Sequence, residues 1–420
     1  MTTRPRRRLI GAVGLLAGLI FVLQLACDIP FFTAPTATSI PTSTQVPTAT
    51  PLSATQTPFP ATPTLPPTPV ATLKPMAATA TVTQTPKALY QGFITYDQKQ
   101  ETIFGYDFAG APLDLKIKIS GAEYVSLNEA QWANDSIYFV NKKNKTVNQI
   151  ASGGAAQKIN FIPTKNNLHF LISPNGKKIA WSFDSNLGAA PSSELWLANI
   201  DGSVLMKIAQ IDAANNSKWL VVQPYRWLAD GRLLYIDAPT GIGGYIIFYG
   251  FAGIHVYDPS NEKTANLTPM MGAGGLCLRE ISRDLKTVLS SCAGSSQGIL
   301  SYVNLADDKS LGIVRQADQN QVGSPAYSPS GAWLAYAYAR GEVGNELGKI
   351  AFLASGSTTP KIIDTVPSGY FNEIGWISEN QFLVERYEGD QAVSSVWMYS
   401  QDSANGVKLA DGILISFIPN

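Results

Sequence analysis

The sequence predicts an all-β fold, and three observations carry that prediction. Past residue 88 no segment keeps a 3.6-residue apolar periodicity, so amphipathic helices are not expected. The chain there runs in short apolar or alternating stretches rich in Val, Ile, Tyr, Phe and Trp, broken by Gly, Asn, Asp and Pro, the pattern of strands joined by tight turns. One phrase also recurs. Leu171-Ile172-Ser173-Pro174-Asn175-Gly176 precedes Lys178-Ile179-Ala180-Trp181, and Tyr327-Ser328-Pro329-Ser330-Gly331 precedes Trp333-Leu334-Ala335-Tyr336. Looser copies start at Trp227, Ile281 and Trp376. Strands that follow the phrase, or stand where its copies would place them, centre near Ile94, Tyr138, Ala180, Leu234, Leu289, Ala335 and Leu383. The intervals of 44, 42, 54, 55, 46 and 48 residues each have room for four short strands, the size of one propeller blade.

The N-terminal 27 residues are expected to export the chain. Arg4, Arg6, Arg7 and Arg8 precede a mostly apolar run from Leu9 to Ala26, with Cys27 after it, which is a positive region, an apolar region and a small-residue boundary. Leu23-Gln24-Leu25-Ala26-Cys27 resembles a bacterial lipoprotein lipobox, which implies that Cys27 receives a lipid and becomes the new N-terminus. The alternative is an uncleaved anchor, because 18 such residues at about 1.5 Å each just cross a bilayer. Either way the Arg cluster stays in the cytoplasm and the rest lies outside it, tied to the membrane by lipid or helix.

Residues 28 to 87 hold 13 of the 27 prolines and almost no charge. Such a Thr/Pro-rich segment builds no core and acts as a disordered, semi-stiff stalk of at most about 180 Å, at about 3.1 Å per residue. The chain has 31 basic and 31 acidic residues, but from residue 88 onward 25 basic and 30 acidic remain. With no run of Lys and Arg past Arg8, nucleic acid is not an expected partner.

The third repeat shows how a unit of the 88 to 420 domain is built. Strand A is His169 to Ser173, strand B Lys178 to Phe183, strand C Leu195 to Asn199 and strand D Val204 to Ile208, with Asp201-Gly202 turning the chain between C and D. Ser-Pro-x-Gly-Lys before an apolar strand, with Asp-Gly between the third and fourth strands, resembles the TolB-type and WD40-like propeller repeat. The resemblance covers residues 90 to 420 and implies a β-propeller without specifying a chemistry. The first unit opens on a B-like strand, Gly92 to Asp97, whereas the last residues, Gly412 to Asn420, read as a strand A with nothing after it. The C-terminal strand is therefore expected to complete the first blade and abolish an open sheet edge. This gives a seven-bladed β-propeller, with six or eight blades as alternatives because TolB-type propellers are usually six-bladed.

Cys277 and Cys292 are the two cysteines of that domain. A two-residue turn centred on Asp284-Leu285 makes facing positions sum to 569, as these two do. They are expected to form a cross-strand disulfide in the fifth blade; the alternative is a pair of buried thiols.

Chemistry is sparse. His169 and His255 are the only histidines, and both read as packed or surface strand residues. With two histidines and two cysteines no metal cage, zinc site or cofactor is expected. Asp184, Asp237, Asp258 and Asp307 follow strands and read as turn formers. Gly241-Ile242-Gly243-Gly244 lacks the Lys-Ser/Thr of a phosphate loop. The B-to-C connection of the fourth blade, Ala238 to Gly253, carries Tyr245, Phe248, Tyr249 and Phe251. These are either anchors for a partner or a hairpin extension with its own packing. The expectation is a tethered extracytoplasmic propeller that binds a protein, peptide or glycan. The alternative is a polysaccharide lyase or hydrolase working in the tunnel.

Overall fold

A computed structural model of the chain describes residues 90–119, 130–151, 153–185, 190–216, 219–240, 250–268, 276–292, 299–317, 319–340, 347–363, 370–388, 393–403 and 405–419. All the described residues belong to one compact unit, Val82–Asn420. Its 28 strands, β1 to β28 in chain order, form seven antiparallel four-stranded sheets. The fold is a seven-bladed β-propeller.

Six blades take four consecutive strands each, and the first does not. There β28 (Ile413–Pro419) pairs with β1 (Tyr90–Asp97), followed by β2 (Thr102–Tyr106) and β3 (Pro112–Lys118). The register sets Phe93 against Phe417 and Thr95 against Leu414, so the last strand of the chain supplies the innermost strand of its first blade. Seven apolar clusters each lie between two neighbouring blades. One of them joins Leu383 and Val396 of the seventh blade to Phe93 and Leu414 of the first, which closes the ring.

The recurring phrase works as a strand-to-strand turn. In the third blade β8 (His169–Ile172) leads through it into β9 (Lys178–Ser185). Ser173 Oγ accepts the Lys178 amide at 2.8 Å, Ser328 Oγ accepts that of Trp333 at 3.2 Å, and Ser282 Oγ that of Thr287 at 3.0 Å. The fourth phrase position needs a left-handed backbone, with φ +66° at Gly176 and +80° at Gly331. The loose copy at Ser282 keeps that geometry with Leu285 at φ +61°, although a Cβ makes this conformation cost about 1–2 kcal/mol. Packing by neighbouring blades therefore holds a turn that its own sequence disfavours.

Strand D of the third blade, β11 (Met206–Ile211), starts two residues later than the sequence indicated. Val204 has φ +53°, and both Val204 and Leu205 are exposed. Gly202 takes φ +86° and Asp201 Oδ1 accepts the Ser203 amide at 2.9 Å, so the turn consumes residues whose apolar side chains resemble a strand start.

The outermost strands are open edges, and lysine guards them. Four of these lysines lie opposite an aromatic ring of strand C, as Phe104 and Lys116, Trp196 and Lys207, Phe352 and Lys361, and Trp397 and Lys408. Their apolar stems can cover the ring while the charge stays in water and repels a pairing chain.

Candidate functional site

The propeller has two ends, one with the A-to-B and C-to-D turns and a loop-bearing one with the B-to-C and D-to-A connections, the B-to-C connection being long in the fourth blade (240–252). Tyr245, Phe248 and Tyr249 belong to that connection and lie outside the described residues, as does Cys27. Phe251 is described, and it is not an exposed anchor. It is 7% exposed, packs on Tyr225 at 5.5 Å, and exchanges backbone hydrogen bonds of 2.9 and 3.1 Å with Leu278 of β16 (Leu278–Ile281). The end of the aromatic connection is thus stitched to the inner strand of the next blade. Gly250 permits this approach, since a Cβ there would sit 2.5 Å from the carbonyl oxygens of Leu276 and Leu278.

The bridge lies beside Cys277 and Cys292, whose sulfurs are bonded at 2.13 Å. Glu280 faces Leu289 and Ile281 faces Val288 in β17 (Thr287–Ser290), both pairs summing to 569, but the register slips by one before Leu278 meets Ser290. The bond forms beyond that irregularity, where the Ser291 amide donates to Cys277 O at 2.8 Å. A cross-link over 15 residues contributes about 3 kcal/mol in the loop-entropy account. Reduction is expected to lower the unfolding midpoint, read as a melting curve with and without dithiothreitol, and thiol titration of residues 88 to 420 without reductant should find no reactive group.

His169, His255, Asp184 and Asp237 sit at the loop-bearing end of the third and fourth blades, whereas Asp258 and Asp307 lie in C-to-D turns at the other end. His255, on β14 (Gly253–Asp258), lies 2.9 Å from Asp237 Oδ2 on β13 (Leu233–Pro239) and stacks on Tyr235 at 4.7 Å. His169 meets Gln223 of β12 (Leu220–Trp227) at 3.1 Å. Asp184 is buried and accepts Asn167 Nδ2 at 2.7 Å; its burial pushes the carboxyl above the usual range. Asp258 and Asp307 are turn formers, accepting the amides of Ser260 at 2.8 Å and Lys309 at 3.3 Å. Asp184 and Asp237 are not, and the turn-former reading is corrected for these two. Their strands run on past the point where a turn was expected, so each carboxylate meets a side chain of its own blade.

A second cluster was not foreseen. Glu280, 8% exposed, accepts Tyr225 Oη at 2.8 Å, Arg226 Nη1 at 3.1 Å and the Ile281 amide at 2.8 Å. Arg226 also donates to Ile281 O at 3.1 Å. Burial first, and the adjacent carboxylate second, push the Tyr225 phenol well up. Nothing in the sequence joins Arg226 to Glu280, because their contact depends on the fourth blade packing on the fifth. Among the described residues no three His, Cys, Asp or Glu side chains gather as a metal would require.

No protein family and no curated protein matches this sequence. Solved structures do. A puromycin hydrolase aligns with TM-score 0.55 and 10% identity over 77% of this chain, which spans 53% of that protein. A puromycin-hydrolyzing peptidase of Mycobacterium tuberculosis aligns at 0.49 and 12% over 79% of this chain and 55% of its own. TolB of Acinetobacter baumannii aligns at 0.38 and 17%, over 63% and 60%. The chain thus spans about half the length of the two puromycin-cleaving proteins. At such identities the likeness is one of architecture, and it places this chain among the β-propellers.

Proposed function

We propose that the chain is a membrane-tethered, extracytoplasmic propeller that binds a protein, peptide or glycan through its loop-bearing end, without catalysis. The observation that carries this reading is the use made of its ionisable inner side chains. Glu280 is saturated by three donors, Asp184 is held by Asn167, and His169 is engaged by Gln223. A general base needs an accessible lone pair to meet substrate, and Glu280 and Asp184 are both buried and hydrogen-bonded within the fold. The N-terminal pattern of Arg residues, apolar run and Cys27 supports the tether.

A pull-down from envelope extract with residues 88 to 420 tests the binding role. Partners should be retained by the parent chain and lost with Tyr245→Ala/Phe248→Ala. Capture that ignores both changes would remove the aromatic connection from the site.

One observation favours the enzymatic alternative. The Asp237 and His255 side chains keep 23% and 16% of their surface accessible, the arrangement of a carboxylate orienting an imidazole for proton transfer. Under that reading residues 88 to 420 depolymerise an acidic polysaccharide and His255→Ala abolishes the cleavage.

A further inference from the structure

The first two blades sort their charges by end. Between residues 90 and 168 all basic residues are lysines, eight in number, and all eight are exposed. Lys99 lies in the β1–β2 connection, and Lys116 and Lys118 in the final part of β3, where Lys118 faces Thr102. Lys142, Lys143 and Lys145 form the connection between β5 (Ser136–Asn141) and β6 (Thr146–Ala151). Lys158 ends β7 (Gln157–Lys158), and the Lys165 amide donates to Lys145 O at 3.1 Å, which fixes these at the same end.

The described carboxylates at this end are Asp97 and Glu101, and Asp97 accepts the amides of Lys99 and Gln100 at 2.8 and 3.0 Å. Asp114 stands mid-way along β3, two positions before Lys116 and on the same face of the strand, whereas Asp107 and Asp135 lie in turns at the opposite end. Glu123 and Glu129 fall in the 120–129 connection, outside the described residues. Lys99, Lys116, Lys118, Lys143, Lys145, Lys158 and Lys165 make no ion pair among the described residues.

Guarding of sheet edges accounts for Lys116, Lys118 and Lys158, which lie on outermost strands. It does not account for Lys99, Lys142, Lys143, Lys145 or Lys165. Lys99, Gln100, Thr102, Lys116 and Lys118 line one open cleft of about 590 Å³. The sequence shows no long basic run here; the fold assembles the patch from five separate stretches within a domain whose net charge is negative.

We infer that the loop-bearing end of the first and second blades binds an acidic polysaccharide. Exposed ammonium groups contributed by several neighbouring connections and strand ends match carboxylates that recur along a uronate chain. Nucleic acid fits less well, because the patch has no arginine to fork onto phosphate or guanine and, among the described residues, no large exposed aromatic for bases to stack on. A lipid surface fits less well too: among the described residues of these two blades Leu113, near the other end of β3, is the exposed large apolar side chain, and interfacial binding needs an apolar face to insert.

The inference rests on the propeller being a binding module and names the partner of a second patch on the same end. Its test uses the full chain with three probes: polygalacturonate, a single-stranded DNA oligonucleotide, and vesicles of phosphatidylglycerol and phosphatidylcholine. Polygalacturonate should bind, with an affinity that falls steeply as salt rises, and should weaken by about tenfold or more in either Lys99→Gln/Lys116→Gln/Lys118→Gln or Lys142→Gln/Lys143→Gln/Lys145→Gln. Both triple variants should melt like the parent. Absent binding, binding indifferent to both triples, tighter binding of DNA, or vesicle binding that depends on these lysines would each overturn the inference. If polygalacturonate fails while envelope partners are still captured, this inference falls and the binding role stands.

Discussion

Deleting residues 412 to 420 is expected to leave the chain without a folded domain. The deletion removes Ile413, Leu414, Ile415 and Ile418, each at most 5% exposed. Burying each such side chain is worth roughly 1.5–3 kcal/mol, so their sum rivals the whole stability of an ordinary domain, about 5–15 kcal/mol. The loss falls on two seams together. Ile413, Ile415 and Ile418 pack between the first and second blades, and Leu414 between the seventh and the first. It also leaves β1 with an unpaired inner edge able to recruit other chains. Near-ultraviolet circular dichroism and limited proteolysis read the outcome. A soluble, cooperatively melting truncated chain would show that the other six blades hold the ring without this strand.

Glu280→Ala is expected to cost about 3–5 kcal/mol, the penalty for breaking one side of a buried ion pair. The change strands the Arg226 guanidinium, whose side chain is 16% exposed, and leaves the Tyr225 hydroxyl without its acceptor. Removing both partners should cost less than the separate losses added together. Denaturant melts of Glu280→Ala, Arg226→Ala and the double variant form the cycle that measures this coupling. Additive effects would mean that solvent reaches the pair and screens it.

The architecture was legible because its determinants are local. Ser-Pro-x-Gly turns, an Asp-Gly reversal and alternating strands sit within a few residues of one another, so the order of strands in a blade follows from short windows. Closure was legible as well, since an unpaired strand B at Gly92 and an unpaired strand A at Ile413 had only each other. What escaped depends on neighbours about one repeat away. Phe251 reads as a loop aromatic until the fifth blade is set beside it. The Arg226 and Glu280 pair has the same character, whereas Asp184 and Asp237 meet partners 17 and 18 residues away that strand pairing within the blade brings near. Val204 misled for a nearer reason: a β-branched residue is a poor candidate for φ +53°, and only the finished turn demands it.

Gln91 reaches the carbonyl of Pro419 across 328 positions of sequence. A ribosome making this protein therefore releases the opening strand long before its companion exists. Until β28 has emerged, the first blade waits with one side bare, exposed to chaperones, proteases and other nascent chains. Contacts so distant along the polymer also form slowly, because a very large loop must be closed before they give anything back. Assembly of the ring is thus committed to a late event that needs residues from both ends of the propeller.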